Sequence, residues 1–397
     1  MIIVVAQRVP YPPNKGEKLR TYHQIKHLVE QGHAVRVYSL RHEREDDELA
    51  FELAKNLNIK VTLFGMQNRL FRYITAFLKG APISVGAFHS SQLHKQLQTD
   101  AEQGEPLTIL LTASSLAPYV LESAASKKEH VTLLMDFMDV DSDKWAQYAN
   151  NTKGPMKWVY QRESRGIRKL EAAVNRSFDR CFLIAETEIA LFSKQVCNTV
   201  PVTKLNNGMD FDAFHPGKND AKPPFPVFLF TGVMDYKPNV DAVVWFYEKC
   251  WKEIKQRLPE AKFVIAGMNP TSSVTALDKD PDIDVTGFVK DILPYYHMAS
   301  VFVAPFRLAR GVQNKVLQAT SCALPVVTTE MGAEGISFAN SETMFIANEA
   351  QHFANACIEA ATNSNNAEQK AQRAYQALRA SYSWENQLKP LVEAVAL

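Results

Sequence analysis

Short apolar runs alternate with longer segments of helical periodicity along the whole chain, and this alternation restricts the possible folds. Six runs in the first half are predicted strands: Ile2–Val5, Ala34–Leu40, Ile59–Phe64, Leu107–Thr112, Val131–Met135 and Cys181–Ala185. The alternation restarts further on with Val227–Thr231, Lys262–Ala266, Val301–Pro305 and Pro325–Thr328. Repetition of strand, helix and strand predicts parallel sheets with helices on their faces. We therefore predict an α/β protein with two doubly wound, Rossmann-like sheets.

The domain boundary is predicted where this periodicity is interrupted. A chain of 397 residues suits two α/β domains. Asn206-Asn207-Gly208 and Pro223-Pro224 break the pattern between them. We predict an N-terminal domain over 1–205 and a C-terminal domain over 206–382, with the final helix, 383–397, returning to the N-terminal domain. Such sheets bind ligands at the carboxyl ends of their strands, so we expect two domains that face each other across a ligand-binding cleft.

Charge and cysteine content indicate a compartment more clearly than a partner. Residues 1–205 carry 27 Lys+Arg and 22 Asp+Glu, a net +5, whereas 206–397 carry 17 and 21, a net −4. An anionic partner is therefore expected on the side of the N-terminal half. Nucleic acid is not expected as a partner. Five cysteines without CxxC spacing are typical of a reduced, cytosolic protein. No segment has the length of a membrane span, so we expect a cytoplasmic protein.

The first candidate phosphate site follows the first predicted strand. Gly16 precedes a helical apolar stripe and has Lys15 beside it and Arg20 one turn on. Glycine allows close backbone approach, and the free amides of a helix N-terminus attract anions. The segment is interpreted either as a site for a donor diphosphate or as a plain strand-to-helix turn. Lys15 and Arg20 are predicted to lie on the acceptor side.

Two similar turns occur in the C-terminal half. Gly232 follows a strand and Lys237 precedes a helix, so Lys237 either neutralises a leaving diphosphate or is a solvated loop lysine. The segment 306–319 follows the strand ending at Pro305 and contains a second cationic helix start. Its candidate phosphate- and ribose-binding residues are Arg310, Gly311, Val312, Asn314, Lys315 and Gln318. A solvated helix start is the alternative.

Acidic residues follow the fifth predicted strand. Asp139-Val140-Asp141 has the DxD spacing that holds a divalent metal in one class of sugar transferases. The same residues could accept a hydrogen bond from an acceptor hydroxyl, or cap the next helix. The acceptor and capping interpretations are favoured over a metal site. Ser114-Ser115 lacks a nucleophile elbow, so a Ser/His/Asp hydrolase is not indicated.

Two segments, 68–79 and 157–169, mix cations with aromatic residues. Each is interpreted either as an amphipathic helix on anionic lipid or as a helix with its apolar face in the core. Contact with the cytoplasmic face of the inner membrane is therefore left open.

Six segments together resemble a known family. They are YPPNKGEKLRTYH at 11–23, DFMDVDSDKW at 136–145, NNGMDFDAFHP at 206–216, FTGVMDYKPNVDAVVWF at 230–246, VTGFVKDILPYY at 285–296 and ARGVQNKVLQATSCALPVV at 309–327. The chain resembles the family 4 retaining glycosyltransferases of GT-B fold. Within that family it is most similar to the bacterial sugar transferases of exosortase/PEP-CTERM and exopolysaccharide systems.

The resemblance implies a nucleoside-diphosphate-sugar donor on the C-terminal domain and a glycan or lipid-linked acceptor over the N-terminal domain, with no metal or other cofactor. It implies that Gly16 belongs to a glycine loop and that Lys237 binds phosphate. It also implies that Arg310 and Lys315 flank the diphosphate. Asn207, Gly208 and Asp210 match the family's interdomain NG-x-D motif.

One position departs from the family pattern. Family 4 enzymes usually carry two glutamates eight positions apart in the donor helix, and here Arg310 and Gln318 stand at these positions. A glutamine carbonyl can accept a hydrogen bond from a ribose hydroxyl without charge. Three functions follow: a retaining, metal-independent glycosyltransferase, which is preferred; a sugar-nucleotide-binding protein that has lost transfer; and a nucleotide-sugar epimerase or hydrolase on the same fold.

Overall fold

The chain forms two compact units. The structure, a computed structural model, describes residues 1–13, 16–123, 128–150, 152–196, 199–217, 223–308 and 312–396. The N-terminal unit comprises Met1–Asn207 together with Gln387–Leu397, and the C-terminal unit comprises Gly208–Asn386. The chain therefore passes from one unit to the other after residues 207 and 386.

A parallel sheet forms the centre of the N-terminal unit. Within the described residues its strands are β1 (Ile2–Ala6), β2 (Val35–Leu40), β3 (Lys60–Phe64), β4 (Leu107–Leu111), β5 (Val131–Met138), β6 (Arg180–Leu183) and β7 (Val202–Lys204). Their order is β3-β2-β1-β4-β5-β6-β7. β1 pairs in parallel with both β2 and β4, and all of its side chains are buried. A continuous apolar strand of this kind is typical of a parallel sheet covered on both faces.

Helices connect these strands. They are α1 (Gly16–Glu30), α2 (Asp46–Leu57), α3 (Arg69–Leu78), α4 (Ile83–Ala87), α5 (Ser91–Glu102), α6 (Pro118–Leu121), α7 (Asp141–Asn150), α8 (Pro155–Ser177) and α9 (Glu186–Gln195). Apolar residues of the sheet and of several helices form a core cluster that includes Leu93 and Leu97 of α5 and Val174 of α8.

The C-terminal unit repeats this architecture around its own core. In the described part its strands are β8 (Val227–Thr231), β9 (Lys262–Ala266), β10 (Ile283–Gly287), β11 (Val301–Ala304), β12 (Val326–Thr328) and β13 (Phe345–Ile346), in the order β10-β9-β8-β11-β12-β13. Its helices are α10 (Lys237–Phe246), α11 (Lys252–Arg257), α12 (Ser272–Thr275), α13 (Leu293–Met298), α14 (Asn314–Ser321), α15 (Glu330–Ala333), α16 (Ala350–Thr362) and α17 (Ser364–Tyr382). A π-helical turn, Tyr247–Trp251, joins α10 to α11.

The last two helices, α18 (Trp384–Gln387) and α19 (Lys389–Val395), follow α17. Leu388, Leu391 and Ala394 are fully buried, which fixes α19 in the N-terminal unit. The predicted return begins at residue 383, and in the structure the N-terminal unit resumes at Gln387. Among the described residues, no helix combines the length and apolarity that spanning a membrane requires.

Candidate functional site

Lys315 is the centre of the candidate site in the C-terminal unit. It lies in the first turn of α14, and its Nζ donates a hydrogen bond to Oδ1 of Asn239 at 2.5 Å. The same ammonium lies 5.0 Å from the ring centroids of Phe230 and Phe306. Loss of hydration lowers the pKa of Lys315 to about 8. Within the described ranges Lys315 makes no ion pair, so this cation is available to an anionic ligand.

Gly232, directly after β8, leaves the space that this ammonium occupies. A Cβ on Gly232 would lie 2.7 Å from Nδ2 of Asn239 and 2.8 Å from Nζ of Lys315. Asn239 also donates from Nδ2 to the carbonyl oxygen of Val233 at 2.8 Å. The end of β8, the following loop, α10 and α14 therefore meet at one point, with Asn239 holding the lysine in place.

The main chain that follows β9 comes very close to the main chain that follows β8. A Cβ on Gly267, which follows β9, would lie 1.7 Å from the carbonyl oxygen of Gly232. Only glycine fits such an approach between two main chains. This contact keeps the carboxyl ends of β8 and β9 free of side chains, where a doubly wound sheet binds its ligand.

Gln318 lies one turn after Lys315 on α14. Its Oε1 accepts a hydrogen bond from the hydroxyl of Tyr296 at 3.1 Å, and that hydroxyl is 2.8 Å from Oγ1 of Thr231. Tyr296 is completely buried, which raises the pKa of its hydroxyl. Phe214 packs edge-on against the Tyr296 ring, with centroids 5.7 Å apart. Tyr296 thus occupies one of the two acceptor positions of the Gln318 carbonyl oxygen, and the amide NH2 is a hydrogen-bond donor.

The other residues predicted to bind the donor have varied positions. Lys237 is the first residue of α10 and Asn314 the first of α14, and both are exposed. Val312 is partly buried against the core of the C-terminal unit. Lys15, Arg310 and Gly311 lie outside the described residues, and Gly16 is the first residue of α1.

Gly208 and Asp210 organise the start of the C-terminal unit. A Cβ on Gly208 would lie 2.5 Å from Cγ of Trp384, so glycine is needed for that packing. Oδ1 of Asp210 accepts hydrogen bonds from the amides of Asp212 and Ala213 at 3.0 and 2.9 Å. Gly208 therefore serves packing against Trp384 and Asp210 shapes its own segment; neither residue contacts Lys315 through a described contact.

Arg20 is buried inside the N-terminal unit. Its guanidinium donates to both carboxylate oxygens of Asp136 at 2.6 and 2.8 Å, and it donates to Oδ1 of Asn207 at 3.1 Å. Gln24 donates to Asp136 at 2.6 Å as well. A buried bidentate pair of this kind satisfies the charge of Arg20. Asn207 is therefore fixed by the N-terminal unit, through Arg20.

A cavity of about 440 Å³ lies within the N-terminal unit, at the carboxyl ends of β1, β4, β5 and β6. Polar, charged and aromatic side chains line it, including Gln7, Arg20, Ser114, Asp139, Asp141 and Trp145. The structure thus brings together three residues predicted for the acceptor side, Arg20, Asp139 and Asp141. This is also the edge at which a sheet of this topology binds ligands.

The two aspartates in this cavity differ in environment. Asp139 is exposed, whereas Asp141 accepts a hydrogen bond from Oγ of Ser114 at 2.5 Å. Burial, with a smaller contribution from the charge of Asp139, raises the pKa of Asp141. Met138, at the end of β5, has a φ of 63°, a left-handed conformation that costs a methionine about 1 kcal/mol or more. No described group of three His, Cys, Asp or Glu side chains is arranged to hold a metal ion.

Aromatic and acidic residues support the part of the cavity that Asp141 and Trp145 line. Trp145 packs against Tyr148 and Tyr160, with ring centroids 5.7 Å away in each case. Glu171 of α8 accepts hydrogen bonds from the amide and hydroxyl of Ser142 at 3.0 and 2.6 Å. Burial raises the pKa of Glu171 to about 7. These contacts fix α7 on α8 and so position Asp141 and Trp145.

Asn239, Tyr296 and Trp145 were not among the predicted site residues. Asn239 and Tyr296 act on Lys315 and Gln318 from helices distant in sequence, and no local spacing indicates such contacts. Trp145 follows the acidic segment by four residues, so an aromatic side chain beside paired carboxylates was an available signal.

Comparisons with known proteins concern the fold and the C-terminal unit. Residues 225–363 match the model of a family described as "Glycosyl transferases group 1". HepE from Anabaena, in complex with UDP, is 14% identical and covers 100% of both chains with a TM-score of 0.62. Sucrose-phosphate synthase from Thermosynechococcus elongatus is 15% identical and covers 99% of this chain and 97% of its own, with a TM-score of 0.60.

The chain has the GT-B fold. The predicted fold class, two α/β units with parallel sheets of the GT-B type, is therefore confirmed. In sequence, the chain is 24% identical over 403 residues to an "Uncharacterized 44.6 kDa protein in cps region" from Klebsiella pneumoniae, covering 96% of each. The similarity to a group 1 glycosyltransferase model includes β8 to β13, α10 and α14, and therefore includes Lys315 and Gln318.

Proposed function

We propose that this GT-B protein is a glycosyltransferase that takes a sugar from a nucleoside-diphosphate-sugar held by the C-terminal unit. One observation carries the proposal: among the described residues Lys315 is a cation with no carboxylate partner, and Asn239 holds it beside the glycine that follows β8. A diphosphate supplies the missing charge. The group 1 glycosyltransferase match over the same residues supports this assignment. HepE, which was crystallised with UDP and also with UDP-glucose, makes a uridine donor the first to test.

The proposed reaction is metal-independent and retains the anomeric configuration, as in the family 4 enzymes that the chain resembles. The bond between the anomeric carbon and the diphosphate oxygen breaks, and the acceptor hydroxyl oxygen bonds to that carbon on the same face. The hydroxyl proton passes to the departing phosphate. Lys315, Lys237 and Arg310 would stabilise the charge that develops on the diphosphate, which is where preorganised cations contribute most to catalysis. No protein nucleophile is required.

The acceptor is proposed to enter the cavity of the N-terminal unit. Asp139 and Asp141 can accept hydrogen bonds from sugar hydroxyls, and the ring of Trp145 offers an apolar face to a sugar ring. The acceptor class that suits these groups is a growing glycan or a lipid-linked saccharide. The relative from a cps region supports a place in polysaccharide synthesis. We propose a cytoplasmic location.

Donor binding and transfer test this function together. The wild-type chain is titrated with UDP-, GDP-, dTDP- and ADP-sugars, with and without Mg²⁺, and followed by thermal unfolding, because a ligand of the native state raises Tm. One nucleotide class should raise Tm without metal, and Lys315→Ala should reduce that donor's affinity and the transfer rate at least tenfold. Lys249→Ala removes an exposed lysine elsewhere in the same unit and should change neither. No shift with any donor would contradict the proposal.

A second candidate, a sugar-nucleotide-binding protein without transfer activity, is favoured by one observation. Tyr296 occupies one acceptor position of the Gln318 carbonyl oxygen, so this uncharged side chain offers a ligand fewer acceptor positions than the carboxylate that the family usually has. The two candidates differ in whether an added acceptor receives sugar from a bound donor. Product released without any acceptor would instead indicate a hydrolase or an epimerase.

A further inference from the structure

Helix α3 presents its apolar stripe to solvent. Leu70, Phe71, Ile74, Phe77 and Leu78 follow helical spacing along one side and are between 47% and 78% exposed. The buried side of α3 instead carries Arg72 and Ala76. A surface helix ordinarily buries its apolar stripe against the core, so the orientation of α3 is reversed.

Arg72 holds the helix in this orientation. Its guanidinium donates to the carbonyl oxygens of Gln67 at 2.9 Å and of Ala87, just before and well after α3 in sequence. A Cβ on Gly86 of α4 would lie 2.6 Å from Cβ of Ala76, so α3 and α4 are in close contact through small residues. The outward apolar stripe is thus a built feature, fixed by a buried cation and a tight helix crossing.

Helix α8 extends the same surface. Met156 and Trp158 are 46% and 56% exposed, and the rings of Phe77 and Trp158 lie 6.4 Å apart. Arg162 covers Phe77 at 4.7 Å and donates to the carbonyl oxygen of Ala81 at 2.9 Å. We call the exposed apolar residues of the two helices the α3 surface: Leu70, Phe71, Ile74, Phe77, Leu78, Met156 and Trp158.

The charged residues in the segments around the α3 surface are all lysines and arginines. The 47 residues from Leu53 to Thr99 contain no aspartate or glutamate but six lysines and arginines, and residues 151–162 contain three cations and no acid. Arg69, Lys79 and Lys157 are exposed beside the apolar residues. Apolar residues that enter the acyl region, flanked by cations that meet phosphates, match an anionic lipid surface. A tryptophan at the edge suits the headgroup level.

We propose that the α3 surface docks the protein on a membrane containing anionic lipid. The surface adjoins the acceptor cavity, because α3 packs on α4, and Ser84 and Phe88 of that segment line the cavity. Docking would place the cavity beside the bilayer, so the acceptor class it favours is a lipid-linked saccharide. The docking itself requires neither donor nor transfer, and it is testable independently of the proposed function.

Flotation with vesicles tests the docking on the full chain. Wild-type protein should float with vesicles of phosphatidylcholine and phosphatidylglycerol, and only weakly with phosphatidylcholine alone. The double variant Phe71→Glu/Leu78→Glu should bind the mixed vesicles at least about tenfold more weakly, because two inserted side chains are lost. Lys79→Glu/Lys157→Glu should weaken binding to the mixed vesicles and reduce its salt dependence.

Phe51→Glu is the matched control. Phe51 is 66% exposed on α2, in the same unit but outside the α3 surface, and its replacement should leave flotation unchanged. All these side chains are largely exposed, so unaltered thermal unfolding should confirm that the variants fold. Equal loss of flotation in Phe51→Glu, or no flotation of the wild type, overturns the proposal. A wild-type dimer that Phe71→Glu separates, without vesicle binding, would instead assign the surface to self-association.

Discussion

At the residue scale, the state of Lys315 should determine how donor affinity depends on pH. Its pKa of about 8 lies below the ordinary 10.5 because the ammonium is desolvated. The folded protein therefore loses this proton in mildly alkaline solution, although a bound diphosphate would oppose that loss. We expect donor affinity to fall as the pH rises from about 7 to about 9, measured by calorimetric titration. A constant affinity over this range would contradict the role given to Lys315.

The variant Lys315→Met separates binding from stability. Because the folded state binds this proton less tightly than the unfolded chain, the charged lysine lowers the stability of the apo protein, and stability should rise with pH between about 8 and 10.5. Methionine keeps the apolar stem without that charge. We expect an unchanged or higher Tm at neutral pH and at least tenfold weaker donor binding. A large fall in Tm with donor binding intact would show that the lysine is structural.

Gln318→Glu tests whether the departure from the family pattern limits activity. Tyr296 donates to Oε1 of Gln318, and one oxygen of a carboxylate can accept that bond while the other accepts from a ribose hydroxyl. We expect the glutamate variant to bind the donor more tightly, with a change of up to about tenfold for one added hydrogen bond to a charged group. Transfer assays under saturating acceptor measure this. A rise in transfer from an undetectable level would favour the impaired-protein candidate, and a loss of activity would show that the glutamine is required.

At the element scale, the contact between α3 and α4 depends on Gly86. An added Cβ would meet Cβ of Ala76 at 2.6 Å and the carbonyl oxygen of Arg72 at 2.9 Å, and one of these atoms belongs to the backbone. Gly86→Ala should therefore destabilise the N-terminal unit by about 1–3 kcal/mol, as overpacking does elsewhere. Urea unfolding of this variant measures the change. Gly65→Ala, whose Cβ would meet only Oε1 of Gln92 at 3.7 Å, should be near neutral; equal effects would refute the packing argument.

The central strands could be predicted from the sequence, and several edge strands could not. All ten apolar runs that were predicted as strands contain strands. The unpredicted strands β7, β10 and β13 each lie at the edge of a sheet. β10 shows why: only Ile283 is fully buried in it. A continuous apolar run indicates burial on both faces, and an edge strand lacks that signal.

The helices show a second limit of prediction from the sequence. The sequence correctly predicts helices at Gly16 and Lys237 and a helix that carries Lys315 and Gln318, but it cannot indicate that α3 turns its apolar stripe outward. That orientation follows from Arg72, whose carbonyl partners lie on both sides of the helix in sequence. The position of Lys315 depends likewise on Asn239, 76 residues earlier. Contacts of this range leave no local pattern.

At the scale of the whole molecule, each unit has its own sheet and its own apolar core. Every described contact that positions Lys315 and Gln318 lies within Gly208–Asn386. We therefore expect the fragment 208–386 to fold and to bind the donor within about tenfold of the full chain, since a domain with its own core can fold alone. Circular dichroism and calorimetric titration test this. A folded fragment with no donor affinity would show that the N-terminal unit contributes essential binding groups.

The return of the chain to the N-terminal unit bears on the order of assembly during synthesis. Leu388, Leu391 and Ala394 are fully buried, yet the ribosome makes them only after all of Gly208–Asn386. The unit that is translated first is therefore completed last, and the C-terminal unit can close its core while its predecessor still lacks α19. Until α19 is made, the nascent chain exposes the surface that this helix will cover, and a chaperone would be most useful during this interval.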